Sequence, residues 1–243
     1  MPALMYGSES WLNGDIKPMN ILYLWCIKQL LGVRKTTVNS LCLVELGCPE
    51  LHSLVRANQR KFFSQAWNER RGMIDDPLIH AVRVTRNNNN SVSRYIRDML
   101  ENDMDDILIS KEKLKADLAL SLSNRVAVYR QINSELKVHA IYTDKVTVGE
   151  LERVYWTRMR LSSHSLAVEV GRWNRRGRGS LPMDERLCIC GQVQTEQHVI
   201  EVCPRTENIR RQWNVSSMIN LLSERDDYNN VCCIVTKILN AYK

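Results

Sequence analysis

The sequence predicts an all-α protein: a helical bundle, then a helical linker, then a small knuckle-like module built on cysteines and a histidine. Three observations predict it. Apolar residues recur at helical spacing through most of the chain. Prolines and glycines punctuate that pattern where helices start and stop. Four side chains able to ligate a metal, Cys188, Cys190, His198 and Cys203, fall in one short stretch.

The opening, Tyr6-Gly7-Ser8-Glu9-Ser10-Trp11, is short and aromatic and carries no catalytic pattern. A first helix is expected from Lys17-Pro18, with Ile21, Leu24, Trp25, Leu30 and Leu31 as its apolar face and Gly32 as its stop. A second runs from about Val38 to Leu46, with Thr37 as its cap and Gly47 as its end. The third starts at Pro49-Glu50. Leu51, Leu54, Val55, Phe62, Ala66 and Trp67 repeat along one face of it, and Arg56, Arg60, Lys61, Arg70 and Arg71 occupy the other. Asp76-Pro77 reads as the cap and first-turn proline of a further helix, ended by the asparagine run Asn87 to Asn90, which is the candidate hinge.

Beyond the hinge, Tyr95 to Ile109 and Ser110 to Leu136 read as helices. Asp103-Met104-Asp105-Asp106 reads as a solvated helix face or first turn, because its flanks are helical. Thr147-Val148-Gly149-Glu150 reads as a capping box. The helix it opens carries Leu151, Val154, Tyr155 and Met159 on one side, with Arg153, Arg158 and Arg160 elsewhere around it. Two closing helices are expected, Ile209 to Leu222 and Val231 to Tyr242. The organisation so read is a helical region at 1–86, a helical linker at 87–146, a basic Cys/His module at 147–215 and a helical tail at 216–243.

The chain has 243 residues and a net charge of +7. Its isoelectric point of about 9.0 favours a polyanionic partner, most directly nucleic acid. The start, Met1-Pro2-Ala3-Leu4-Met5, lacks a charged region ahead of an apolar core, so no signal peptide is expected. The apolar run from Ile21 to Ile27 is too short to span a membrane. An intracellular protein, nuclear or cytoplasmic, is therefore expected. In a reducing compartment its cysteines are thiols or metal ligands. Cys26, Cys42, Cys48 and the adjacent Cys232-Cys233 read as small core residues.

Three thiolates and one imidazole, from Cys188, Cys190, Cys203 and His198, are a complete tetrahedral set for Zn²⁺, and a closed set of this kind is structural. Buried free thiols and a hydrogen-bonded histidine are the alternative. Gly191 stands where the chain must turn back sharply. His198-Val199-Ile200-Glu201-Val202 reads as the first turns of a helix that ends or restarts at Pro204. Just upstream, Gly171-Arg172-Trp173-Asn174-Arg175-Arg176-Gly177-Arg178-Gly179 is the densest basic stretch of the chain. Guanidinium groups of Arg172, Arg175, Arg176 and Arg178 suit phosphate, and Trp173 suits stacking on a base. A solvated basic loop is the alternative.

Two sets of residues resemble a known family. Tyr6 to Trp11, then Leu31-Gly32-Val33-Arg34-Lys35-Thr36-Thr37, then Glu45-Leu46-Gly47, resemble the region just downstream of the palm in non-LTR (LINE-type) retrotransposon reverse transcriptases. Arg160 to Leu166, Glu169 to Trp173, Cys188-x-Cys190, Glu196-Gln197-His198 and Cys203-Pro204 resemble the cysteine-rich C-terminal segment of the same proteins. The resemblance implies that 1–86 is thumb-like, that the later segment is a zinc-knuckle-like module engaging RNA or DNA, and that Cys188, Cys190, His198 and Cys203 are its ligands. The single residue between Cys188 and Cys190 departs from the commoner gap of two.

The family's paired polymerase aspartates have no counterpart here, since Asp75-Asp76 stands between Ile74 and Pro77. Nor is there a Pro-Asp pair of the restriction-like nuclease that some relatives carry. Glu135-Leu136-Lys137 matches only half of that pattern and lies before the cysteines. The expected function is thus that of a catalytically silent C-terminal fragment of a LINE-type reverse transcriptase, with structural zinc, RNA or DNA as partner and the missing palm as a further one. The alternatives are a zinc-stabilised protein–protein interaction module and a non-functional retroelement remnant. An active enzyme is the least favoured reading, because no cluster of carboxylates suits two-metal phosphoryl transfer.

Overall fold

The computed structural model describes residues 5–11, 15–69, 84, 90–102, 104–143, 148–173, 179–223 and 227–243. Among the described residues the protein is mainly α-helical and holds no strand, only one isolated antiparallel bridge between Leu187 and Val193. No helix among them is long and apolar enough to cross a membrane. The chain forms two compact units. The first is Met1–Trp25 with Cys48–Ala116, the second Cys26–Gly47 with Asp117–Lys243.

In the first unit a 3₁₀ turn at Ser8–Ser10 lies against the helix Leu51–Glu69. Asn58 Nδ2 donates to Ser8 Oγ at 3.0 Å and Gln59 Nε2 to the Ser8 carbonyl at 3.2 Å. The long helix buries Leu51, Val55, Gln59 and Phe63, a stripe spaced by four. Phe63 meets Ile96 and Met99 from the helix Ser91–Glu101, with Phe62, Val92 and Tyr95 packed around them. Asn90, the last of the asparagine run, caps that helix by accepting the Ser93 N–H at 2.8 Å. The rest of the run, Asp76-Pro77, Arg70 and Arg71 lie outside the described residues, as do the side chains of Ala66 and Trp67.

Several expectations need correction here. Arg56 and Arg60, on the face opposite the apolar stripe, are held by carboxylates. Arg56 pairs with Asp98 at 3.2 Å and with Asp106 at 3.2 Å, and Arg60 pairs with Asp106 at 3.0 Å. Asp106 is therefore buried, while Asp105 accepts the N–H groups of Ile107 and Leu108 and starts the helix Asp106–Leu120. One helix thus ends at Glu101 and the next starts at Asp106, rather than the division falling after Ile109. A second break at 121–123 sets off the helix Asn124–Ile132, so no single helix runs from Ser110 to Leu136. The first helix, Lys17–Leu31, starts and stops where expected, but its buried face is Tyr23, Ile27 and Leu31. Ile21, Trp25 and Leu30 are exposed, because a uniformly apolar helix does not reveal in sequence which side is covered.

The second unit is centred on the helix Glu150–Arg160, which packs on the helix Tyr228–Asn240. The former buries Trp156, Thr157, Met159 and Arg160; of the apolar side read from sequence, Met159 is buried, Val154 and Tyr155 are half-buried and Leu151 is exposed. Its N-cap is Gly149 with no side-chain cap, and Glu150 is its first residue, so Glu150 is not placed for a capping box. Thr147 lies outside the described residues. The short helix Asn39–Glu45 is capped by backbone at Val38. Thr37 instead donates from Oγ1 to Ser163 Oγ at 3.0 Å. Glu45 is wholly buried and meets Arg160, Tyr129 and Tyr142. The closing segment divides into Glu207–Trp213 and Met218–Leu222, because Asn214 adopts the left-handed conformation with φ +49°. Cys42 and Cys232 are buried thiols, each pushed up to about 12 chiefly by burial, while Cys26, Cys48 and Cys233 are half-buried.

Candidate metal centre

Two local structures bring the ligands together. The first is a tight turn at 188–191. Leu187 and Val193 form the antiparallel bridge, the Cys188 N–H donates to the Gln192 carbonyl at 2.7 Å, and the Gly191 N–H donates to the Cys188 carbonyl at 2.9 Å. Gly191 closes the turn at φ +86°, a conformation an L side chain rarely adopts. The one-residue gap between Cys188 and Cys190 is thereby accommodated in the tip of the turn.

The second is a π-helical turn, His198–Val202, closed by the Cys203 N–H donating to the His198 carbonyl at 2.9 Å. The helix expected there was to carry His198 and Cys203 on roughly one side, which regular α-helical geometry does not do. Five α-helical residues rotate by about 500°, so positions i and i+5 lie about 140° apart. The wider π-helical turn brings i and i+5 to one side, and such turns concentrate at functional sites. The His198 N–H donates to Thr195 Oγ1 at 3.0 Å. Pro204 then restarts the chain as a 3₁₀ turn, Pro204–Thr206, and Arg210 Nη1 donates to the Cys203 carbonyl at 2.7 Å.

The ligand atoms of Cys188, Cys190, His198 and Cys203 all lie within 4.8 Å of one another, and this group could hold a metal ion. Cys188 Sγ and Cys203 Sγ are 3.7 Å apart, and Cys190 Sγ and His198 Nε2 are 3.2 Å apart. Metal–sulfur bonds of ~2.3 Å in a tetrahedron give a sulfur–sulfur edge of about 3.8 Å, and a sulfur–nitrogen edge of about 3.6 Å. The sulfur–sulfur spacing is close to that edge, the sulfur–nitrogen spacing is shorter, and the remaining pairs lie within 4.8 Å. Cys188, His198 and Cys203 are buried and Cys190 is exposed, so the centre has one solvent-facing corner. Burial and the charge of Arg210 lower the His198 pKa, which favours the neutral imidazole that ligates. Burial pushes the Cys203 thiol up, but Tyr242, the Arg205 N–H and the neighbouring thiols hold it below the usual value.

The centre is tied into the second unit by a buried pair that sequence reading did not single out as such. His164 Nε2 lies 2.9 Å from Glu196 Oε1, which also accepts from Ser162 Oγ at 3.0 Å. The Leu166 N–H donates to His164 Nδ1 at 3.3 Å, so Nε2 carries the proton that faces Glu196. Burial would raise the Glu196 carboxyl, but His164 and the hydrogen bonds bring it down to about 2. The residues are 32 apart in sequence, and no periodicity marks them as partners.

The basic stretch is described only in part. Arg175, Arg176 and Arg178 lie outside the described residues. Trp173 is 37% exposed. Arg172 does not extend freely: its Nε donates to Glu169 Oε1 at 2.7 Å, and Arg125 Nε donates to Glu169 Oε2 at 2.9 Å. Glu169, buried, thus sits between two guanidinium groups. Gly171 serves close packing rather than openness, since a Cβ there would meet Arg186 at 2.7 Å. The chain matches no protein-family model, no curated protein and no solved structure.

Proposed function

We propose that this chain is a non-catalytic C-terminal segment of a LINE-type reverse transcriptase that binds RNA or DNA through a basic module anchored by structural zinc. The observation that carries the reading is the convergence of Cys188, Cys190, His198 and Cys203. Three soft thiolates and one imidazole favour zinc over oxygen-seeking cations, and four protein ligands leave no position for a reacting water. Bound zinc would contribute folding free energy by joining the turn at 188–191 to the π-helical turn. The side chains do the rest: Arg172, Arg175, Arg176 and Arg178 contact phosphate, and Trp173 offers a stacking surface.

The family origin draws support from how the quoted motifs meet. The Arg34 N–H donates to Ser163 Oγ at 2.9 Å, Arg160 pairs with Glu45 at 2.7 Å, and His164 pairs with Glu196. The quoted stretches at 31–37, 45–47, 160–166 and 196–198 thus lie together in the second unit, whereas Tyr6 to Trp11 lies in the first.

The test starts with elemental analysis of protein purified without added metal, beside Cys203→Ser. About one zinc per chain, lost in the variant, is expected. Nucleic-acid binding is then measured across a salt series, for wild type and for a variant with Arg172, Arg175, Arg176 and Arg178 all changed to Ala. Weaker binding with a shallower salt slope is expected. No zinc, or equal binding with an unchanged slope, overturns the corresponding half of the proposal.

A second reading, a zinc-stabilised protein-interaction module, is favoured by the exposed Ile21, Leu22 and Trp25 on one face of the first helix. Stoichiometric zinc without salt-sensitive nucleic-acid binding would select it.

A further inference from the structure

Next to the candidate ligand Cys203 and along the C-terminal helix, exposed cations are held by aromatic side chains rather than by carboxylates. Arg205, two residues past Cys203, has its guanidinium 5.5 Å from the centre of the Tyr242 ring. The next residue, Lys243, has its ammonium 4.6 Å from the Tyr155 ring, and Nζ donates to the Tyr155 hydroxyl. Arg158 approaches the same ring at 6.0 Å. Lys237, six residues before Lys243 and on the helix Tyr228–Asn240, lies 5.2 Å from the Trp213 ring. Arg205, Lys237 and Lys243 are all exposed. Among the described residues none of the three forms an ion pair with a carboxylate.

The physical difference matters. A carboxylate partner both orients a cation and offsets its charge, as Glu169 does in part for Arg125 and Arg172 together. An aromatic ring orients the cation and lowers the entropy lost when it meets a ligand, yet leaves its full charge and most of its N–H donors available. Tyr242 and Trp213 thus support the cations that lie over them, and Tyr155 holds Lys243 at its hydroxyl. We infer that Arg205, Lys237 and Lys243 form a second phosphate-binding face, which contacts the backbone of a single-stranded nucleic acid alongside the Cys/His module. The inference rests on the nucleic-acid reading above and adds a surface to it.

The test uses the full chain with its metal and a fluorescein-labelled oligouridine, followed by anisotropy over a salt series. The variant carries Arg205→Gln, Lys237→Gln and Lys243→Gln; circular dichroism and metal content confirm that it folds. Loss of three phosphate contacts lowers the slope of log K against log salt by about 2. If wild type binds and the variant keeps the wild-type slope, this face is not a phosphate contact, and the nucleic-acid reading stands without it. If wild type does not bind the oligonucleotide at low salt, both readings fall. If the variant loses slope while the Arg172, Arg175, Arg176 and Arg178 variant does not, this face replaces that stretch as the binding surface.

Discussion

The Arg160 guanidinium donates to both oxygens of the Glu45 carboxylate, at 2.7 Å from Nε and 3.1 Å from Nη2, with both side chains buried. Tyr129 donates to Glu45 at 2.6 Å and Tyr142 at 3.3 Å, and Arg160 Nη1 reaches the Leu222 carbonyl. One polar cluster thus joins the helices Asn39–Glu45, Asn124–Ile132, Glu150–Arg160 and Met218–Leu222 within the second unit. Truncating one partner strands the other charge in the interior. Glu45→Ala or Arg160→Ala is expected to cost about 3–5 kcal/mol in urea unfolding. The pair Glu45→Leu with Arg160→Met should cost clearly less than the sum of the single changes. Additive losses would show that the two charges do not depend on each other.

Acid should reach this cluster. Burial by itself raises the Glu45 carboxyl, but the Arg160 charge and the hydrogen bonds from Arg160 and Tyr129 bring it below its ordinary value. The unfolded chain then binds the proton more readily than the folded one. The stabilisation is full above the unfolded value of about 4.3 and is lost as pH falls toward the depressed folded one. Urea midpoints measured from pH 7 to pH 3 should decline below about pH 4.5, and Glu45→Gln should show a smaller decline. Equal acid sensitivity in the variant would place the effect on other carboxylates, Glu196 first among them.

Metal removal should act locally. The ligands lie in the turn at 188–191 and in the π-helical turn and its end, so a chelator is expected to speed amide exchange at Cys188, Gly191 and Cys203, whose N–H groups close those turns. The Phe63, Ile96 and Met99 core of the first unit holds no ligand and should keep its protection. Uniform loss of protection across both regions would argue that the metal supports the whole chain instead.

Two glycines should respond differently to alanine. Gly32 has φ +66°, and a Cβ there would meet Val154 Cγ2 at 2.5 Å, so strain and overpacking combine to about 2–4 kcal/mol. Gly191 has φ +86° with open space around it, so the cost is conformational only, about 1 kcal/mol. Thermal unfolding should register the first strongly. Metal affinity should register the second, since its turn presents Cys188 and Cys190.

Much of the fold was legible because its signals are local. Pro18 and Gly32 bracket the first helix, Gly47 ends the second, and Gly191 turns the knuckle, each through backbone preferences that need no tertiary partner. The four candidate ligands were legible for the same reason: they are close in sequence and chemically unlike their neighbours. The helix start at Asp106 was legible as one of two readings, since Asp105 accepts the first N–H groups, but the break at 121–123 carries no such local mark.

By itself, then, the sequence determined the helical class, the basic charge and the identity of the Cys/His cluster, because composition, capping residues and short spacings act within a few residues. Tertiary structure alone decided which helix faces are covered, so that Ile27 is buried and Trp25 is not. It also gave specific partners to arginines that sequence placed only around their helices: Arg160 with Glu45, both buried, and the half-buried Arg60 with Asp106. A charged side chain has no periodic signature of its own; its role depends on which carboxylate or ring the fold carries to it across a long stretch of chain. The same holds for His198 and Cys203, which face one another only because their turn is π-helical.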